Sequence, residues 1–315
     1  MTKKLTILDI AKMAGVGKST VSRVLTNDPK VKQETRLKVE QIIKESGFVP
    51  SKSAQGMRGG SQKVIGIIIS RLDSVSENKA VSGILETLYQ SGYDAVIMES
   101  QFDRQKTNEH LSVLQKRNVD GVIVFGYTDC DVQSIEEWKE KAVVIAIDTD
   151  KISSVNYDNK GVIKQALEHL TSMSFKNIAY VGVNPSDKTT GKLRLESYLE
   201  WCKEHQCVAN YATGQLDHNS AYALVDSIIN DELEAVVCAS DTLALGVAKR
   251  LQELQRNDIQ VTGVGGTELL SFIFPNVISI NLAYEAAGKT AATVLMSQLN
   301  GKTAITHITH PLNPV

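Results

Sequence analysis

Cysteine is scarce. The four in this 315-residue sequence, Cys130, Cys202, Cys207 and Cys238, have spacings that suit neither a metal site nor a redox motif. All four are expected at the edges of or within helices and strands, as reduced thiols. No apolar run is long enough to span a bilayer, so no membrane partner is expected. The opening Met-Thr-Lys-Lys-Leu-Thr has no apolar signal region behind it, which implies a cytoplasmic location. The six histidines (110, 169, 205, 218, 307 and 310) are scattered, and the last two lie three apart in an expected strand, on opposite faces. There is no Gly-x-Ser-x-Gly elbow and no acidic metal cluster. Asp73, Asp187 and Asp241 could form an acid/base group, but sugar hydroxyls account for them equally well. These absences argue against an enzyme, a metal and a cofactor.

The net charge is small as well, −2, but it hides an asymmetry. The first 60 residues hold 12 Lys+Arg against 5 Asp+Glu, and the remaining 255 hold 22 against 31. A basic head on an acidic body is the footprint of a nucleic-acid-binding domain joined to one that avoids nucleic acid. Within the head, Thr6-Ile-Leu-Asp9 has the form of a capping box. Ile7, Ile10, Ala11 and Ala14 then share a helical face, and Gly15 supplies the left-handed residue that ends the helix. A second helix restarts at Gly17, with Thr20, Val21, Val24 and Leu25 inward and Lys18, Ser19, Ser22 and Arg23 outward. Two short helices joined by a tight turn containing glycine form a helix-turn-helix. The outward set suits a major groove, with cations for guanine edges and hydroxyls for phosphates.

Gly17-Lys18-Ser19-Thr20 also looks like the tail of a phosphate-binding loop. That motif needs a glycine at position 12, where lysine stands, and a strand in front, where a capped helix is expected. A third helix is expected over 33–46, ending at Gly47, with Leu37, Val39, Ile42 and Ile43 closing the core of the head. The stretch 51–59 begins as a helix and dissolves into Gly-Gly-Ser. A helix this short is marginal in water, so it reads as a linker or as a hinge that becomes helical on DNA.

From Lys63 the pattern changes. Apolar runs at 64–69, 95–98, 119–125, 142–147, 155–157, 178–183, 235–239, 261–264 and 277–282 alternate with helical stretches at 76–91, 104–117, 159–173, 190–205, 219–230, 241–255 and 285–299. Buried strands alternating with helices imply parallel, doubly wound sheets. Nine strands over about 250 residues exceed one compact sheet, so two α/β lobes are expected, with the ligand in the cleft at the strand C-termini. The loops there, after the first, third, sixth and seventh runs, are rich in hydroxyls, amides and carboxylates and carry two arginines, Arg71 and Arg194. That chemistry suits a sugar with an anionic group such as phosphate.

On these residues the chain resembles the LacI/GalR family of transcriptional repressors. The resemblance rests on Thr6-Ile-x-Asp-Ile-Ala, Gly15-Val-x-x-x-Thr-Val-Ser-Arg-Val-Leu, Gly47-Phe-Val-Pro with Ala54-Gln55, and Ser240-Asp-Thr-Leu-Ala-Leu-Gly. It implies an all-α helix-turn-helix head over 1–60 with a hinge helix at about 51–59. It also implies a periplasmic-binding-protein-like core of two doubly wound α/β lobes over 61–315. Operator DNA would be met by Thr6, Gly17, Lys18, Ser19, Thr20, Ser22 and Arg23. Lys18, Ser19 and Arg23 would reach the bases, and Ala54 and Met57 the minor groove. Three further stretches, Ser70-Arg-Leu-Asp-Ser-x-Ser-Glu-Asn, Met98-Glu-Ser-Gln-Phe and Ser186-Asp-x-Thr-Thr-Gly-Lys-x-Arg, resemble the branch of the family whose inducer is trehalose 6-phosphate. That likeness implies effector contacts at Arg71, Leu72, Asp73, Ser74, Val75, Ser76, Glu77, Gly126, Asp187, Lys188, Thr189, Thr190, Arg194, Thr242 and Tyr284.

The chain departs from the family pattern at Lys32, where the cap of the third helix is usually Ser, and at Met57, where the hinge wedge is usually Leu. It departs again at Gly266-Thr267, where an Asp often follows Val-Gly. After Pro311 no heptads remain, so a homodimer is expected rather than a tetramer. A sugar-transport binding protein or a sugar-phosphate enzyme could share the two-lobe fold. The basic head and the missing signal region speak against the first, and the absence of a catalytic group against the second.

Overall fold

Thr6 starts the first helix as its spacing implies. Its Oγ1 accepts from the Asp9 amide at 3.3 Å, and Asp9 Oδ2 accepts from the Thr6 amide at 2.8 Å. Helix α1 (Ile7–Ala14) ends at Gly15, whose φ of 66° is the left-handed conformation glycine adopts without strain. Helices α2 (Lys18–Leu25) and α3 (Gln33–Ser46) close around Ile10, Ala11, Ala14, Val21, Val24, Val39 and Phe48. Leu37, expected in this core, is 57% exposed. It lies two residues from Val39, about 200° around the helix, whereas Ile42 and Ile43 share the Val39 stripe. Lys32 makes no side-chain cap for α3, as its departure from Ser implies.

The computed structural model describes residues 5–25, 28–48, 62–147 and 149–312. The chain divides into two units, Met1–Gln62 and Lys63–Val315. The expected hinge at 51–59, with Ala54 and Met57, lies outside the described residues.

The larger unit holds two parallel sheets. One contains β1 (Val64–Ile69), β2 (Asp94–Glu99), β3 (Gly121–Phe125), β4 (Ala142–Ile145), β5 (Ser153–Tyr157) and β11 (His307–His310), in the order β2-β1-β3-β4-β5-β11. The other contains β6 (Ile178–Val183), β7 (Tyr211–Gly214), β8 (Ala235–Cys238), β9 (Gln260–Val264) and β10 (Ile278–Ile280), in the order β7-β6-β8-β9-β10. Both sheets reverse direction of growth after their first strand, so each has a switch point, between β1 and β3 and between β6 and β8. These four strands are the ones whose following loops drew attention in the sequence. The chain passes from the first lobe to the second after Tyr157 and returns before Tyr284, and the two tyrosine rings meet edge to face with centroids 4.9 Å apart.

β7 was not foreseen. It is four residues long, Tyr-Ala-Thr-Gly, and sits at an edge paired only with β6, so it carries no apolar run. The short helices Val132–Glu136 and Glu268–Ile273 were also missed, and Cys130 and Cys207 lie in loops rather than within a helix or strand. Among the described residues no helix is long and apolar enough to cross a membrane.

Candidate functional site

Polar residues finish the strands at both switch points because each strand gives way to a helix whose first amides need acceptors. Ser74 caps helix Val75–Gln90 by accepting from the Glu77 amide at 3.3 Å. Asp187 caps the π-helical turn Lys188–Leu193 through the amides of Thr189 (3.0 Å) and Gly191 (3.1 Å). Ser240 caps helix Asp241–Glu253 through the Leu243 amide at 3.3 Å. The positive ends of these helices, with Arg71 and Arg194, give the space between the lobes an electrostatic preference for an anion.

That space is a cleft of 80 Å³ lined by Arg71, Asp73, Ser74, Val75, Ser76, Thr190, Arg194, Thr242 and Tyr284 from the expected set. Leu216, Ser240, Asp241, Val264, Gly265 and Thr267 complete it. Leu72, Glu77, Gly126, Asp187, Lys188 and Thr189, also expected, do not line the cavity. Leu72 is 59% exposed on the outside of its loop, where its amide donates to Glu99 Oε1 at 2.7 Å. Glu77 turns its Oε2 to the Ser70 amide at 2.7 Å, closing the end of β1, and burial holds its carboxyl above the usual carboxylate range. Gly126 faces Ile147, and the Lys188 amide donates to Thr128 Oγ1 across the cleft at 3.0 Å.

The two arginines differ. Arg71 is a third exposed, with Asp73 Oδ1 3.7 Å from its Nε and its guanidinium 5.6 Å from the Phe102 ring centre. Arg194 is 3% exposed, and its Nε donates to Asn159 Oδ1 at 2.9 Å while Nη1 donates to the Ala239 carbonyl. Asp241, a candidate acid or base, is committed elsewhere. Its carboxylate accepts from the Thr267 amide at 2.7 Å and from Ser279 Oγ at 2.7 Å, holding the loop after β9. The sequence offered one hint of that loop, the Gly266-Thr267 departure. Tyr157, next to the cleft at the lobe crossing, has its phenol pushed well up by burial.

In the head, Lys18, Ser19 and Arg23 are exposed along α2, and Ser22 and Thr20 are half-buried. Arg23 Nε lies 3.8 Å from Asp28 Oδ2, with its side chain still 62% exposed. Gly17 precedes α2, its carbonyl accepting from the Thr20 amide at 2.9 Å, and Thr6 caps α1.

A basic helix-turn-helix and, in the same chain, a two-lobed α/β core with a polar cleft define a ligand-responsive regulator, and comparison with known proteins agrees. The family model described as bacterial regulatory proteins, lacI family, matches residues 6–51, and that of the periplasmic binding protein-like domain matches residues 167–314. The chain belongs to the LacI family and is a DNA-binding transcriptional regulator, not an enzyme. It is similar to the HTH-type transcriptional regulator TreR of Escherichia coli K12, 45% identical over 96% of each chain. The solved trehalose repressor from Escherichia coli superposes with a TM-score of 0.77 at 41% identity, covering 79% of this chain and 97% of that one. The Lac repressor bound to ONPG, at 23% identity, shares the fold with a TM-score of 0.86 over 99% of this chain and 98% of that one.

Proposed function

We propose that this protein represses a trehalose uptake or utilisation operon in the cytoplasm, sits on operator DNA as a homodimer, and is released by trehalose 6-phosphate. The observation that carries this reading is the 45% identity to TreR over 96% of both chains, which spans head and core together. The cleft is consistent with it, because two arginines and three capped helix starts favour a phosphorylated sugar over a neutral one. Leu269 (63% exposed), Phe272 (84%) and Ile273 (49%) form an apolar surface on helix Glu268–Ile273 suited to a second copy. On DNA, Lys18, Ser19 and Arg23 read bases while Thr6, Gly17, Thr20 and Ser22 set the helix against the backbone, and Ala54 and Met57 enter the minor groove.

The test is fluorescence anisotropy of a labelled promoter fragment from a trehalose-uptake operon, titrated with protein at fixed salt because phosphate contacts make affinity salt-dependent. Trehalose 6-phosphate is expected to release the fragment, and trehalose and glucose 6-phosphate to act only weakly. Release by trehalose at equal concentration would remove the phosphate from the reading, and no release by any of the three would remove the effector.

A further inference from the structure

Arg194 poses an electrostatic problem. It is buried to 3% exposure, yet among the described residues no carboxylate lies within ion-pair distance of it. A buried cation without a counter-ion is costly, and hydrogen bonds to neutral acceptors offset only part of that cost. The acids nearby are all engaged in other bonds. Asp158 accepts from the Gly161 amide at 2.7 Å. Asp241, in the same cleft wall, accepts from the Thr267 amide and Ser279. Glu77, whose charge like that of Arg194 acts on the Tyr157 phenol, accepts from the Ser70 amide. The side-chain acceptor that reaches Arg194 is the amide oxygen of Asn159, itself 7% exposed and 35 residues away in the chain.

We propose that Asn159 is a positioning residue for effector recognition: it fixes the Arg194 guanidinium from behind with a neutral oxygen, so that the full positive charge stays available to an anionic group in the cleft. An aspartate here would have almost the same shape and would orient Arg194 equally well, but it would cancel the charge. Neutrality at position 159 therefore selects for the ligand's charge, while the hydrogen bond sets the direction in which the guanidinium faces. Asn159 also opens helix Asn159–Ser172, directly after the chain crosses between lobes.

The proposal rests on the reading that a phosphorylated sugar enters this cleft, and the experiment separates the two. Full-length protein without DNA is titrated calorimetrically with trehalose 6-phosphate and with trehalose. Wild type is expected to prefer the phosphate, and failure of that preference sinks the effector reading itself. Given the preference, Asn159→Asp is expected to lower trehalose 6-phosphate affinity about tenfold or more and to change trehalose affinity little, so the ratio between them collapses. A merely structural role would move both ligands together and leave the ratio intact, which would overturn the proposal. Asn159→Leu, which adds no charge, guards against an Asp variant that fails to fold. It should weaken trehalose 6-phosphate binding about fivefold through lost orientation, and unchanged binding there would also overturn the proposal.

Discussion

Glu77 shows how a residue can shape the wall of a cleft that it does not line. Its carboxylate accepts from the amides of Ser70 at 2.7 Å and Arg71 at 3.4 Å, so it sets the path of the loop that carries Arg71. Burial is the leading influence on this group and raises its pKa above the ordinary 4.5. An acid whose folded-state pKa exceeds its unfolded one contributes stability that is complete below the unfolded pKa and is lost as pH rises through the folded pKa. The melting temperature of wild type relative to Glu77→Gln is therefore expected to fall across the pH window that opens at the ordinary carboxylate value of 4.5 and extends upward from it, followed by differential scanning calorimetry. A difference that stays flat or grows across that window would contradict the assignment. At this scale the sequence was partly legible. Arg71 and Arg194 were readable because they follow shortly after the ends of apolar strands, Arg71 in a loop and Arg194 at the start of helix Arg194–Glu204. Asn159 and Lys79 were not, because their roles depend on partners 35 and 186 residues away that only the fold brings near.

At the scale of elements, the long buried strands were legible because parallel strands covered on both faces are continuously apolar. β7 and helix Glu268–Ile273 were not, since an edge strand of four residues and a six-residue helix are too short to show a period. Nor does the pattern reveal how closely two helices approach. Helices Val75–Gln90 and Tyr284–Leu299 pack backbone to backbone. A Cβ placed on Gly288 would lie 1.9 Å from the Ala80 carbonyl oxygen, and one on Gly83 would lie 2.1 Å from that of Glu285. Neither contact can be relieved by a side-chain rotation. Gly288→Ala is therefore expected to destabilise the core by about 1–3 kcal/mol or more, read as a lower urea midpoint. Because Tyr284 begins the displaced helix and lines the cleft, effector affinity should fall in the same variant. An unchanged midpoint would mean the helices separate freely.

At the scale of the molecule, the two-lobed architecture and the place of the cleft were legible from the alternation of strands and helices, but the state of the cleft was not. Its 80 Å³ is well short of the roughly 300–1,000 Å³ of pockets that enclose small molecules, so an effector of the proposed size would require the lobes to part. One polar contact that resists parting is specific. Lys79, on helix Val75–Gln90 of the first lobe, donates from Nζ to the Gly265 carbonyl at 3.0 Å and to that of Gly266 at 2.5 Å in the second. Those carbonyls are themselves fixed in place. The Gly266 amide donates to Ser279 Oγ at 2.8 Å, and Ser279 and the Thr267 amide both donate to Asp241. Lys79 thus grips a rigid loop, and breaking its grip exposes an ammonium and two carbonyls to water at modest net cost. Lys79→Met keeps the apolar stem and removes the donor. It is expected to speed association of trehalose 6-phosphate severalfold in stopped-flow mixing, because opening precedes entry and becomes cheaper. The stability of the core should change little, since the contact is half-exposed and is lost in the open state anyway. An association rate equal to that of wild type would place the barrier to entry elsewhere, with the Lys188–Thr128 bond at 3.0 Å as the next contact to cut.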